Sequence, residues 1–193
     1  MRLEDIWQSQ IKEKKWALIK IMSNFDFFTK RFSEAKILEQ NEKLLFVKID
    51  TLKLLVVVGF LMENSFTRLI SLGGVDYIGD DGHMEGIYHF GKYEGGGEII
   101  ALKVRIPRSN PALPSIAKLI PGANWHERET YDLFGIKFEG HPDLTRIFLP
   151  ADFPGFPLRK DWHGGDTVPL LFGDDSGEAP TNLIERKKVC DKP

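Results

Sequence analysis

Few residues in this chain are placed to do chemistry. His126 and Glu127 begin like the zinc-protease pattern HExxH, where two histidines one helical turn apart hold the metal and the glutamate serves as base. The second histidine's position holds Thr130, so one ligand is missing and the stretch does not read as a zinc hydrolase. Gly95, Gly96 and Gly97 could cradle a phosphate, but no Gly-Lys-Ser/Thr follows and strand-like runs lie on both sides, so they read as a hairpin turn. His141, just before Pro142 and Asp143, could relay a proton, because imidazole titrates near neutral pH. The plainer expectation is a hydrogen bond to its own turn or to a partner's carbonyl. The single cysteine, Cys190, rules out an internal disulfide and cannot supply an iron–sulfur cluster, which usually takes four thiolates. With no nucleophile elbow and no paired metal motif, no catalytic, cofactor or metal residues are assigned, and the isolated chain is expected to be inactive.

The charged residues suggest recognition instead. Arg146, Arg159, Lys160 and Asp161 sit among aromatics and prolines, where docking would desolvate them and require counter-charges. A merely solvated cluster is credible for Lys160 and less so for Arg159, since guanidinium favours forked contacts at interfaces. For Glu127, Arg128, Glu129 and Asp132, spacing alone leaves a solvent-facing helix and a packed one equally open.

The elements that must position these groups follow from local signals. Asn124 as N-cap and Glu127 three residues on form a capping-box pattern, Arg128 and Asp132 are four apart and able to pair, and Gly135 supplies a left-handed stop. This predicts a short helix. Upstream, apolar spacing predicts two N-terminal helices, the second around Phe25, Phe28 and Phe32 with Asn24 as a possible cap. Leu44–Ile49 reads as a strand, Leu54–Leu72 as a helix ending at Gly73-Gly74, and His83–Tyr93 with Glu98–Ile106 as a hairpin. Pro114–Leu119 reads as a brief helical turn. The fold class is α+β, a largely antiparallel sheet with helices on one face, followed by a long extended C-terminal arm. Its expected divisions are an N-terminal helical segment (1–34), an α+β domain ending in the capped helix (35–135), and a Pro-rich partner-wrapping arm and tail (136–193).

Prolines 142, 150, 154 and 157 preclude a long helix or central strand in that arm. Roughly sixty residues without clear periodicity exceed what a compact domain keeps as free loop. Yet Phe138, Leu144, Ile147, Phe148, Leu149, Phe153, Phe156, Leu158 and Trp162 make it too apolar for a solvated tail. A partner surface is therefore favoured over self-packing. At about 3.3 Å per extended residue, Gly140 to Trp162 could reach on the order of 70 Å along a neighbour.

Composition sets outer bounds. A chain of 193 residues with net charge −2 can bury a sizeable core and shows no basic excess for nucleic acid. Its longest apolar run, Leu54–Met62, falls far short of the roughly twenty residues that cross a bilayer. The N-terminal stretch lacks the apolar core and cleavage site of a secretory signal, so a cytoplasmic location is expected.

WHERETYDLFGIKF, GHPDLTRI and FPGFPLRKDW together resemble the signature of the 30 kDa subunit of respiratory complex I (NADH:quinone oxidoreductase) and its relatives in ion-pumping membrane oxidoreductases. Gly74-Val75-Asp76-Tyr77 and Pro114-Ser115-Ile116 extend the similarity over most of residues 35–162; the first thirty-odd residues and the tail after His163 lie outside it. Thr145 departs from the pattern, which usually has a second basic residue there. The resemblance implies a peripheral-arm subunit with no cofactor of its own, on the cytoplasmic side of the membrane. It would be clamped to a large quinone-site or hydrogenase-like subunit and a small iron–sulfur subunit, and indirectly to antiporter-like membrane subunits. Iron–sulfur clusters and a quinone or Ni-Fe site would belong to those partners. The implied interface comprises Glu127, Arg128, Asp132, His141, Pro142 and Asp143, continued by Arg146, Phe156, Arg159, Lys160 and Asp161. A ferredoxin-dependent membrane-bound hydrogenase or related ferredoxin-linked complex is the alternative setting, though the intact HPDL and RKD favour quinone reduction. A non-enzymatic adaptor for an unrelated partner is a more remote one.

Overall fold

The computed structural model describes residues 25–78, 82–93 and 97–162. The first expected N-terminal helix, the Asn24 cap, most of the glycine turn and the tail lie outside them. Residues 25–31 are helical, and Phe25, Phe28 and Phe32 insert into the core as their spacing requires.

Five strands form one sheet: β1 (Lys36–Gln40), β2 (Leu44–Ile49), β3 (Arg68–Tyr77), β4 (His83–Gly91) and β5 (Ile99–Pro107). Their spatial order is β1-β2-β5-β4-β3, antiparallel throughout except for the parallel β2–β5 pair. Register aligns Ile37, Val47, Leu102, Tyr88 and Leu72 in one row across all five strands. Apart from Ile37, which stays exposed at the edge, that row is buried. The opposite parity carries Lys48 and Lys103, the latter bonded to Glu85 at 2.7 Å. Because side chains alternate along a strand, the core lies on one face.

Helix α1 (Leu54–Glu63) covers that face through Leu54, Val57, Val58 and Leu61, the i, i+3, i+4, i+7 stripe of an amphipathic helix. A 3₁₀ turn over Thr51–Lys53 leads into it, with the Asp50 carboxylate accepting from the Leu52 N–H at 2.8 Å. The helix expected from sequence to run to Leu72 ends at Glu63 instead. The Asn64 side chain donates to the Phe60 carbonyl at 2.8 Å, Ser65 turns left-handed at φ 69°, and the next residues enter β3. Pairing with β4 along almost the whole strand outweighs the local helical pattern, a tertiary effect that sequence spacing does not register.

Two short strands, β6 (Ala112–Pro114) and β7 (Lys137–Glu139), pair in parallel and bracket helix α2 (Ala123–Phe134). The expected helical turn at Pro114–Leu119 is a strand end followed by a turn closed by Leu119 N–H to Ile116 carbonyl, 2.9 Å. Ile136 and Phe138 belong to the core, so the chain remains part of the domain beyond Gly135. Gly135 stops α2 at φ 72°, as expected, and the Phe156 ring lies where its Cβ would be, 2.5 Å away.

Candidate functional site

The capping box does not form. The N-cap position of α2 is Gly122, which supplies no side-chain cap, and Glu127, fully buried, turns the other way. It accepts from the Ser115 hydroxyl at 2.6 Å and the Ile116 N–H at 2.7 Å, so it fastens α2 to the loop after β6. Burial raises its carboxyl above the ordinary glutamate range against the pull of these donors. His141 brings its imidazole to the same place: Nε2 is 3.8 Å from Glu127 Oε2 and 3.3 Å from the Asn124 carbonyl, and its side chain is fully buried. Its Nδ1 accepts from the Asp143 N–H at 3.0 Å, the bond to its own turn expected from the sequence. The buried Tyr88 hydroxyl has no hydrogen-bond partner among the described residues, and burial together with the Glu127 charge holds it well above the usual phenol range.

Asp132, the second buried carboxylate of α2, does not pair with Arg128. Its Oδ2 accepts from three successive N–H groups, Ile147 at 3.0 Å, Phe148 at 2.7 Å and Leu149 at 3.1 Å, while Oδ1 takes Arg146 at 2.9 Å. Burial disfavours the charge, but these donors outweigh it and hold the carboxyl below the ordinary aspartate value. Arg146 also donates to the carbonyls of Phe153 (3.4 Å) and Gly155 (3.0 Å). Arg128 instead donates to the Thr145 carbonyl at 3.1 Å and Oγ1 at 2.8 Å, stacking over Trp125. The hydroxyl of Thr145 thus suits a guanidinium neighbour that a basic residue would repel.

A third buried carboxylate, Asp76 on β3, receives Arg108 bidentately at 2.8 and 3.1 Å and the Lys160 N–H at 2.9 Å. Burial opposes its charge and these donors prevail, so its carboxyl too lies below the ordinary value. Arg108 also pairs with Asp161, and both carboxylates raise its affinity for the proton. Arg159 donates to the Phe134 carbonyl at 2.8 Å and lies over the Phe156 ring, as does Arg146.

Several residues of 140–162 that suggested a partner surface, among them Arg146, Phe156 and Arg159, are therefore met by their own domain. Two acidic side chains hold the segment as a strap, Asp132 in its middle and Asp76 at its end, while near its start His141 packs beside Glu127 and the Asn124 carbonyl. The reason is energetic: successive N–H groups of an extended segment need acceptors, and a buried carboxylate needs donors. All the expected interface residues lie on or beside this strap, some inside and some outside. Glu127 and Asp132 are buried, the His141 side chain with them; Arg146, Phe156 and Arg159 are half-buried; Arg128 leans on Thr145; Pro142, Asp143, Lys160 and Asp161 are exposed. Sequence reading missed Asp76, Arg108, Ser115 and Tyr88 as parts of the site. Asp76 carried a signal, being polar on the same strand parity as Leu72; Ser115 carried none.

The outer surface bears large apolar groups: Trp125 is 63% exposed, Phe148 59% and Leu158 51%. Among the described residues no cluster of three or more His, Cys, Asp or Glu side chains could hold a metal ion, and no helix is long and apolar enough to cross a membrane.

Fold and site together define an α+β domain with a strap pinned to it by buried carboxylates. Residues 47–168 match the family described as respiratory-chain NADH dehydrogenase, 30 Kd subunit, and the chain belongs to that family. It is 46% identical over 114 residues to the C subunit of the NADH-quinone oxidoreductase of Roseiflexus sp. (strain RS-1), a match covering 58% of this chain and 65% of that one. It is 44% identical over 100 residues to the C subunit of the F(420)H(2) dehydrogenase of Methanosarcina mazei, covering 51% and 62%. The chain thus spans slightly less than two thirds of each of these relatives. Among solved structures it resembles the trypsin-resistant fragment (1-134) of Nqo5 (TM-score 0.52, 31% identity, 59% of this chain and 92% of that one). It shares the fold of a chain of the membrane-bound sulfane sulfur reductase, an archaeal respiratory membrane complex, at TM-score 0.60 and 24% identity over 78% and 85% of the chains. These relatives are named as subunits of oxidoreductase complexes.

Proposed function

We infer that the chain is a cofactor-free peripheral-arm subunit of an ion-translocating membrane oxidoreductase, docked on the cytoplasmic side against a large quinone-site subunit and a small iron–sulfur subunit. Electrons would pass from NADH or another donor to quinone through clusters held by those partners, while this chain keeps the large subunit seated over the membrane module. One observation carries the reading. The strap is fixed from within by Asp76 and Asp132, yet leaves Phe148 and Leu158 exposed, and Trp125 of α2 is exposed as well. Large apolar groups presented on a pre-ordered surface with charged neighbours such as Lys160 and Asp161 are suited to a protein interface. Among donors, NADH is not the only candidate, since a relative is named as a subunit of an F(420)H(2) dehydrogenase.

The test is purification in mild detergent from native membranes through a tag on this chain, with and without Phe148→Asp and Leu158→Asp together. The unsubstituted chain should bring down a large subunit, an iron–sulfur subunit and antiporter-like membrane proteins, with an activity whose acceptor names the complex. The double variant should stay folded and lose the large subunit. Full recovery of the complex with both aspartates present would overturn the docking surface.

A further inference from the structure

His141 and Glu127 do more than fill the core. The neutral imidazole fits its surroundings in one tautomer only. Nδ1 accepts the Asp143 N–H at 3.0 Å and must be bare, so the proton sits on Nε2, directed at the Asn124 carbonyl at 3.3 Å and the Glu127 carboxyl at 3.8 Å. A second proton could only go to Nδ1, where it would face the Asp143 N–H, two donors opposed across a hydrogen-bond distance. The His-Pro-Asp turn must then open. Glu127 faces the ring from α2, its Oε2 3.8 Å from Nε2. The turn's own Asp143 is exposed; around Glu127, the buried Tyr88 of β4 feels its charge, and Ser115 and Ile116, from the loop after β6, add only uncharged donors.

We propose that this cluster is a proton-operated latch on the strap: uptake of one proton at His141 Nδ1 breaks the Asp143 bond and releases the His141–Asp143 turn, while Asp132 keeps residues 147–149 seated. The latch is independent of the docking reading, because every group in it belongs to this chain. One proton per opening fixes the response: above its midpoint the open fraction grows about tenfold for each unit that pH falls, and below the midpoint it saturates.

The test uses ¹⁵N-labelled full-length chain across the pH range in which imidazoles change charge. Amide protection factors at Asp143 and the two ring nitrogens of His141 are followed together. Asp143 protection should fall about tenfold for each unit that pH drops toward the midpoint of the Nδ1 shift and level off below it, while the amides of Ile147, Phe148 and Leu149 stay protected. His141→Asn keeps an acceptor for the Asp143 N–H but cannot gain the proton, so its protection should become flat with pH. If Nδ1 titrates with Asp143 protection unchanged, or if the Asn variant opens as the natural chain does, the latch is wrong. Should the Asn variant fail to fold, the coupled titration of the unsubstituted chain decides by itself.

Discussion

Asp132→Asn is the most informative single change to this fold. The carboxylate is fully buried and receives four donors, three backbone N–H groups and the Arg146 guanidinium. Hydrogen bonds to a charged group contribute about 1.5–3 kcal/mol each and neutral ones about 0.5–1.5, so removing the charge at constant shape costs roughly 1 kcal/mol per bond. The amide also presents a donor to one side, either the N–H triplet or Arg146. Partial relaxation of Arg146 toward water reduces the total to about 3 kcal/mol, on the order of a hundredfold in the opening equilibrium. Because the strap can lift into water rather than leave its N–H groups orphaned in the core, the loss should appear as local opening over residues 143–158 with the sheet intact. Hydrogen exchange read by mass spectrometry measures this directly. The sign with pH is fixed as well. A carboxyl held below its unfolded value of about 3.9 stabilises fully above that value and loses the contribution only as pH falls through its lower folded one. The natural strap should therefore survive mild acid at Asp132. Exchange at Ile147, Phe148 and Leu149 within threefold of the unsubstituted chain at neutral pH would refute the reasoning.

Two further changes probe the packing. Gly135→Ala forces a left-handed residue to carry a Cβ into the Phe156 ring, and should cost about 2 kcal/mol or more, read by chemical denaturation; a loss under 0.5 kcal/mol would show the ring moves freely. Tyr88→Phe deletes a buried hydroxyl with no partner among the described residues, so thermal melting should be unchanged or raised, and a loss above about 1 kcal/mol would reveal a partner for that oxygen.

Much of this protein was legible in the order of its residues. The α+β class, the Leu44–Ile49 strand, the β4–β5 pairing, the Gly135 stop and the family signature all depend on short-range patterns: alternation, turn glycines and fixed motif spacing. Those patterns act within a few residues, where local sterics and backbone bonding set the outcome. The roles of the acidic residues were not legible. From spacing, Glu127 belonged to a cap and Asp132 to a surface pair with Arg128, and nothing local marked the alternative. Their true partners lie far along the chain or out of helical phase: Ser115 and His141 for Glu127, Arg146 to Leu149 for Asp132, Arg108 and Lys160 for Asp76. A buried carboxylate takes whichever donors the fold leaves unsatisfied, and which donors those are is known only when the strap has been laid across the domain. The same holds for β3, whose helical-looking start became strand because β4 stood ready to pair with it. The sequence alone determined what kinds of element this chain makes and which family it resembles; the tertiary structure decided where its charges close, because closure is a long-range contest for hydrogen bonds.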